Sequence, residues 1–321
     1  MSAIDAGRGR MAETPTEIPR AGWKAALMRV KEKFDEHQVS LVAGGLTFFL
    51  LLSLFPGIGA LVAIYGLVAD PATIQTHLAQ LEGVIPSGAL GVIQSQLERL
   101  AGQQQDSLSI AFAVSLILSL WSANKGVKAL FKAMNIAYEE EDERGFLKQN
   151  AVTLGFTLAT ILLVILALGT IVLLPAALSI LPIPANLKWI VGLASPLVLA
   201  LVAMAWLAGL FRFGPDRRPA KFRWLTPGAI LVLVGWLVAS LAFSLYASQV
   251  KDFSATYGSF ASIIVFLMWV WIMMMVLVTG GELNAQLEHQ TAKDTTVGKP
   301  REPGQRRATL ADQIAALKAH R

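Results

Sequence analysis

The sequence predicts an all-α, polytopic membrane protein with six transmembrane helices and both termini in the cytoplasm. Three observations carry this. The 321-residue chain is 55% hydrophobic and only 15% charged, against roughly 25% charged in an average soluble domain. Its apolar residues gather into uncharged runs at 37–69, 107–124, 149–187, 189–211, 224–250 and 253–281, and about 20 apolar residues suffice to cross roughly 30 Å of hydrocarbon. The basic residues then orient the runs. The N-terminal segment, the 125–148 and 212–223 connections and the tail hold 24 of the 27 Lys and Arg, while Arg99, Lys188 and Lys251 alone fall in the alternate connections. Excess Lys and Arg marks the cytoplasmic side.

Residues 1–36 read as a basic cytoplasmic segment with no signal-peptide core, so the first membrane helix is expected to direct insertion. The membrane domain is expected over 37–288, with spans at about 40–69, 107–124, 150–174, 188–211, 225–249 and 259–284. Span 1 carries Pro56, Gly57 and Gly59 at its middle; proline removes a backbone donor and predicts a kink. The 70–106 connection alternates apolar residues at helical spacing, which predicts two short amphipathic helices against the outer leaflet. Between 125 and 138, Lys125, Lys128 and Lys132 fall on one face and Val127, Leu130, Phe131 and Met134 on the other, the pattern of an interfacial helix. The acidic run 139–143 reads as a solvated loop, and 181–189 as a tight external turn. Thr226 and Pro227 give span 5 an N-cap and first-turn signal. Residues 289–321 read as a basic cytoplasmic tail, disordered over 290–308, with a short amphipathic helix carrying Leu310, Ile314 and Leu317. Three spans per half would make the halves antiparallel, as in inverted-repeat transporters.

Composition also removes function classes. With no cysteine, neither a disulfide framework nor a thiolate metal site can form. The charge count places His37, His289 and His320 in the cytoplasm and His77 outside, so the four histidines cannot converge as metal ligands. No nucleophile–base pair or phosphate loop is present, and no enzyme activity, cofactor or metal is expected. The hydroxyls within the spans are expected to bond back to their own helices or across to a neighbour. No Asp, Glu, Lys or Arg falls at mid-membrane, which argues against a carrier with a buried ion pathway and leaves room for a conduit for a large amphiphile.

Several ordered motifs then carry a resemblance. LTFFLLLSLFPGIG at 46–59, SLILSLWSANKGVKALFKAMNIAY at 115–138, FRFGPDRR at 211–218, TPGAILVLVGWLVASLAFSLYAS at 226–248 and TYGSFASIIVFLMWVWIMMMVLVTGGELNAQ at 256–286 together resemble the YihY/virulence factor BrkB family of bacterial inner-membrane proteins, some formerly labelled ribonuclease BN. The resemblance covers about 25–288. It matches the family's LSLFP element at Pro56, its asparagine–tyrosine element at Asn135 and Tyr138, and its proline–glycine–alanine helix start at Pro227 and Gly228. The closing helix matches at Tyr257, Gly258, Gly280 and Glu282, with Gly281 where the family more often has Ala. The resemblance implies handling of lipids or envelope precursors; nothing in these residues could hold the catalytic metal of a nuclease.

The sequence therefore points to a transporter, flippase or accessory factor for lipid-like substrates in the bacterial inner membrane. The alternative is a non-transporting scaffold whose basic tails recruit cytosolic partners. Expected partners are the bilayer, anionic lipids of the inner leaflet and an amphiphilic substrate; oligomers are compatible with the pattern, and nucleic acid is not called for. Candidate basic interface residues are Lys125, Lys128, Lys132, Arg217, Arg218 and Arg223. The closing stretch VLVTGGELNAQ adds Asn284 and raises Glu282 as either a solvated carboxylate or a cytoplasmic latch. At 1.5 Å per residue Glu282 falls just past the hydrocarbon, near the level of Lys125, Lys128 and Arg223. An anion near a helix C-terminus calls for a basic partner.

Overall fold

The computed structural model describes residues 9–66, 110–180, 188–249 and 261–313. Among them, six long helices follow a shorter one. These are α1 (Arg20–Glu36), α2 (Val39–Gly66), α3 (Ile110–Ala137), α4 (Phe146–Ile180), α5 (Lys188–Phe213), α6 (Phe222–Gln249) and α7 (Ala261–Glu288), with a single-turn α8 (Thr309–Asp312) in the tail. The 70–106 helices, most of the 181–189 turn, Ile314, Leu317, Tyr257 and Gly258 lie outside the described residues. Among the described residues, four helices are long and apolar enough to cross a membrane: Phe146–Ala167, Leu193–Phe213, Phe222–Leu245 and Ile263–Glu288. Counting α1 with the bent start of α2 gives a fifth. Of the expected second span only 110–124 is described. Those 15 residues reach about 22 Å, short of the roughly 30 Å required.

The chain divides into two compact units. The second comprises Phe49–Lys128 and Gly145–Trp206. Its polar groups are spent close to home. Thr153, Thr157, Thr160 and Thr170 each donate to the carbonyl four residues back at 2.8–2.9 Å, and Ser53 donates to Leu50 O. The same closure holds Thr47 in the first unit. A helix that satisfies its own donors can lie in hydrocarbon without water. Between helices, Thr157 reaches Asn124 at 3.1 Å and Trp206 donates to Thr160 at 3.0 Å. A Cβ at Gly126 would overlap the Ser53 hydroxyl, so α3 approaches α2 through that glycine. Leu162, Leu166, Leu193, Leu197 and Leu201 are more than half exposed, the reverse of a soluble helix surface.

The first unit comprises Met1–Phe48, Ala129–Arg144 and Leu207–Arg321. Its spine is the α6–α7 pair, which approaches backbone to backbone. A Cβ at Gly228 would overlap the Gly280 carbonyl, and one at Gly280 would overlap Val232. Small residues at such crossings replace side-chain separation with close van der Waals contact. Trp236 Nε1 donates to Met273 O at 2.9 Å, and Trp269 Nε1 to Ser240 Oγ at 3.2 Å. Around the end of this pair, Ala12, Ile18, Ala26, Val30, Trp224, Leu283 and Leu287 form one apolar cluster.

Two expectations about helix ends change. Helix α6 begins at Phe222, five residues before Pro227, so Thr226 is not its N-cap; the hydroxyl bonds back to Phe222 O. The reason is tertiary. Ala220 is held in an antiparallel bridge to Thr296, and Trp224 N closes on Lys221 O, which starts the helix early. The 125–138 stretch, expected as a separate interfacial helix, continues α3. Val127, Leu130, Phe131 and Met134 are all under 9% exposed, so this apolar face meets protein and not lipid.

Candidate functional site: the buried polar hub at the end of α7

From Gly281 to Glu288 every residue of α7 is buried, although half are polar. Burying polar groups costs free energy unless each finds a partner. Here three faces of one helix address three different segments of the chain.

The first face carries Glu282, Gln286 and His289, four and three residues apart, and looks towards α1. Glu282 Oε1 lies 2.6 Å from His37 Nδ1, with the carboxylate fully buried. His37 sits at the corner between α1 and α2. Gln38 takes a left-handed conformation with φ 49°, ending α1 in the manner of a C-cap glycine and turning the chain by 64°. The corner aims the imidazole inward. Arg29 donates to Gln286 Oε1 at 2.9 Å, Gln286 O at 3.0 Å and Gln290 Oε1 at 2.7 Å, covering one carbonyl in the last turn of α7. His289 is held well below its usual range, at about 4, by burial and by the Arg29 charge. The basic residue that faces Glu282 is His37, at the corner between α1 and α2.

The second face carries Asn284 towards α6. Its Oδ1 accepts from Gly228 N at 2.7 Å and its Nδ2 donates to Leu225 O at 3.1 Å. Pro227 has no N–H to continue the α6 ladder, and the Asn284 amide bonds the backbone on either side of it. Pro227, Gly228, Gly280 and Asn284 thus form one joint.

The third face carries Glu288 and Gly281. Arg217 Nη2 donates to Glu288 Oε1 at 2.6 Å, with both side chains at most 1% exposed, and Thr295 donates to Oε2 at 2.6 Å. The guanidinium also stacks over the Tyr138 ring at 4.4 Å. Tyr138 is fully buried, and burial raises its phenol above the ordinary range. An alanine Cβ at 281 would lie 3.3 Å from Met134 Sδ and 3.4 Å from Ala137 Cβ, a fit that a small shift of the flexible Met134 accommodates.

Asn135 fastens a fourth segment. Its Oδ1 accepts from Asp216 N at 2.7 Å and its Nδ2 reaches Asp142 at 3.3 Å. Arg144 bridges the same two loops, with Nε 3.0 Å from Asp216 Oδ1 and Nη2 donating to Gly214 O at 2.7 Å. The acidic run is consequently not a free loop. Lys33 pairs with Glu139 at 2.7 Å, and Glu140 accepts from both the backbone and the hydroxyl of Thr309. Burial raises the Glu140 carboxyl above its usual range against those bonds.

The tail, expected to be disordered over 290–308, folds into the hub. Arg306, 2% exposed, donates to the carbonyls of Ala311, Ala292, Lys293 and Arg301. Lys221 N and Val297 N join the tail to the 213–221 loop, and Thr291 donates to Ala12 O at 2.7 Å. A single buried guanidinium with four carbonyl acceptors organises a segment whose composition alone looks like a linker.

Of the candidate basic interface, Arg217 is inside the protein and Arg218 lies 3.6 Å from Asp294. Arg223, Lys125 and Lys132 are exposed. In the second unit, Lys128 donates to Asn150 at 2.6 Å and lies 5.3 Å over the Trp121 ring, and Pro56 sits within α2. His37, Arg29, Gln286, Glu288, Arg144, Asp216 and Arg306 were missed by sequence reasoning. A weak signal existed for one of them: Gln286 stands four residues after Glu282 and continues its helical stripe beyond the apolar run. Among the described residues no group of three His, Cys, Asp or Glu could hold a metal. The contacts of the hub join segments that are far apart in the chain.

The family model described as virulence factor BrkB matches residues 30–305. The chain is 28% identical over 276 residues to the ribonuclease-like protein YfkH of Bacillus subtilis, covering 81% of this chain and 94% of that protein. It is 24% identical to a UPF0761 membrane protein of Methylibium petroleiphilum, over 97% of this chain and 72% of the relative. A UPF0761 membrane protein of Albidiferax ferrireducens is 23% identical over 84% of this chain, which spans 64% of that relative's length. No solved structure matches. With the family model covering most of the chain and several apolar helices able to cross a bilayer, the protein is a multi-pass membrane protein of the virulence factor BrkB family.

Proposed function

We propose that the protein is a non-enzymatic transporter, flippase or accessory factor for an amphiphilic, lipid-like substrate. It sits in the bacterial inner membrane with six spans and both termini in the cytoplasm. One observation carries the reading. In the four candidate spans every charged residue (Lys148, Arg212, Arg223, Glu282 and Glu288) lies within seven residues of the end that leads into the hub. A pathway for protons or ions would need ionisable groups deeper in the spans. A substrate with a polar head and apolar chains needs only uncharged helices and a polar surface at one end.

The topology has its own support. The connections at 37–38, 138–144 and 213–221 and the tail after Glu288 meet in one hub through Lys33–Glu139, Arg144–Asp216, Arg217–Glu288 and Glu140–Thr309. Segments that touch cannot lie on opposite sides of a bilayer, and these are the segments rich in Lys and Arg, as the positive-inside rule asks of the cytoplasm. The scaffold alternative draws less support from residues 290–313, which fold against the end of α7 and its neighbours.

The test is purified protein in vesicles carrying a headgroup-labelled fluorescent phospholipid, with an impermeant quencher added outside. Transport predicts that the protected inner-leaflet signal decays in the presence of protein. Decay no faster than in protein-free vesicles, for phospholipids and for lipid-linked envelope precursors alike, sinks the reading.

A further inference from the structure

Helix α1 wears its surfaces the wrong way round for a soluble helix. The side facing the protein carries the small residues Gly22 and Ala26 with Val30, and sends Arg29 and Lys33 inward to bond. The outward side carries Leu27 and Met28, 51% and 50% exposed. Arg20, Lys24, Leu27 and Lys31 follow at intervals of four, three and four, a single stripe along the helix. All three cations are exposed, and none has an ion pair or hydrogen bond to protein among the described residues. Together with Ile18, Trp23 and Met28 they line an open groove of about 470 Å³, a volume within the range of small-molecule sites. Trp23 is pinned there by its Nε1 bond to Pro15 O at 3.2 Å.

The position of α1 selects the occupant. Eight of its 17 residues are charged, which keeps it out of hydrocarbon. Only His37 and Gln38 separate it from α2, and the 64° bend turns it across the point where an apolar helix begins. That is headgroup depth, where tryptophan rings settle and where exposed leucine and methionine reach the first acyl methylenes.

We propose that the outward face of α1 is a binding site for an anionic phospholipid of the membrane in which the protein sits. Arg20, Lys24 and Lys31 hold the phosphate-bearing headgroup, and Trp23, Leu27 and Met28 contact the upper acyl chain. Lysine and arginine near an anionic leaflet contribute a roughly fivefold preference each, and the attraction falls with added salt. The site requires membrane embedding but not transport, so it stands or falls separately from the proposed function.

The experiment uses the full-length protein in phosphatidylcholine nanodiscs. These contain a small, equal fraction of brominated phosphatidylglycerol or brominated phosphatidylcholine. Trp23 quenching is the difference between wild type and Trp23→Phe. The expected result is stronger quenching by the anionic lipid, lost in Arg20→Gln/Lys24→Gln/Lys31→Gln by roughly fivefold per charge and retained in Lys24→Arg. An unchanged thermal midpoint of the triple variant is expected to accompany the loss, because the three side chains are exposed. Equal quenching by both lipids in wild type, or full anionic preference in the triple variant, overturns the proposal. So does loss of the preference when millimolar glycerol phosphate is added, which would make this a site for soluble phosphates. Loss of preference in Leu27→Ser/Met28→Ser with none in the triple variant would identify an apolar protein-docking face instead, and would equally overturn it.

Discussion

Helix α4 and the end of α7 solve the same problem, a polar atom away from water, in opposite ways. In α4, Thr153, Thr157, Thr160 and Thr170 turn their hydroxyls onto their own backbone. Such bonds form in any isolated helix and carry no information about neighbours. At the end of α7 the partners are remote: Glu282 meets a residue 245 positions away, and Gln286 one 257 positions away. Those bonds exist only when the whole first unit is assembled. Self-satisfied helices make a segment acceptable to the bilayer, whereas cross-chain polar contacts decide which segments meet.

That contrast can be broken experimentally, and the largest effect belongs to the Arg217–Glu288 pair. Arg217→Ala strands a buried carboxylate, and removing one partner of a buried pair costs about 3–5 kcal/mol. We expect a large fall in the thermal midpoint of detergent-solubilised protein, and protease cleavage within 290–313 as the tail releases. A midpoint within error of wild type would mean that the hub does not specify assembly. Glu282→Gln keeps the shape and deletes the charge that faces His37. The amide oxygen can still accept from His37, so the expected cost is about 1–2 kcal/mol, that of weakening one buried hydrogen bond, with assembly or gating disturbed and no chemical step lost. A variant as stable and active as wild type would remove the latch role from Glu282.

A smaller effect is expected from pH. His289 is held at about 4 in the folded protein against an ordinary value of 6.5, so between these values the unfolded chain binds the proton that the folded chain refuses. Stability must then rise with pH across this window: it is intact above about 6.5 and declines as the pH falls towards 4. His289→Gln should flatten that part of the midpoint profile, and an unaltered slope would show that another group drives it. The smallest effect is expected in α4. Thr170→Val removes a hydroxyl that, among the described residues, bonds its own turn, and the midpoint should move by no more than the equivalent of roughly 0.5 kcal/mol. A loss comparable to that of Glu282→Gln would erase the distinction between the two regions.

Much of this architecture was legible from the residues. The long helices fall on the uncharged runs, because burial in hydrocarbon demands continuous apolar sequence and closed backbone bonds. The family was legible too, since its motifs stand in order along the chain. Within the hub, Asn135, Tyr138, Pro227, Gly228, Gly280, Glu282 and Asn284 were all flagged, yet their roles were not. Nothing in GGELNAQ says that Asn284 bonds the α6 backbone on either side of a proline 57 positions earlier. The tail misled for a related reason: 290–308 has the glycine, proline and charge of a linker, and one buried arginine reverses that reading.

Sequence alone determined the membrane class, the helical class and the sorting of charge to one end, because each is a one-dimensional property that hydration energy reads residue by residue. Only the tertiary structure decided that His37 is the partner of Glu282, that Arg217 lies inside and not at a lipid interface, and that α6 starts at Phe222. These depend on which distant segments share a low-dielectric interior. There, a polar atom must find whichever partner the packing brings within about 3 Å.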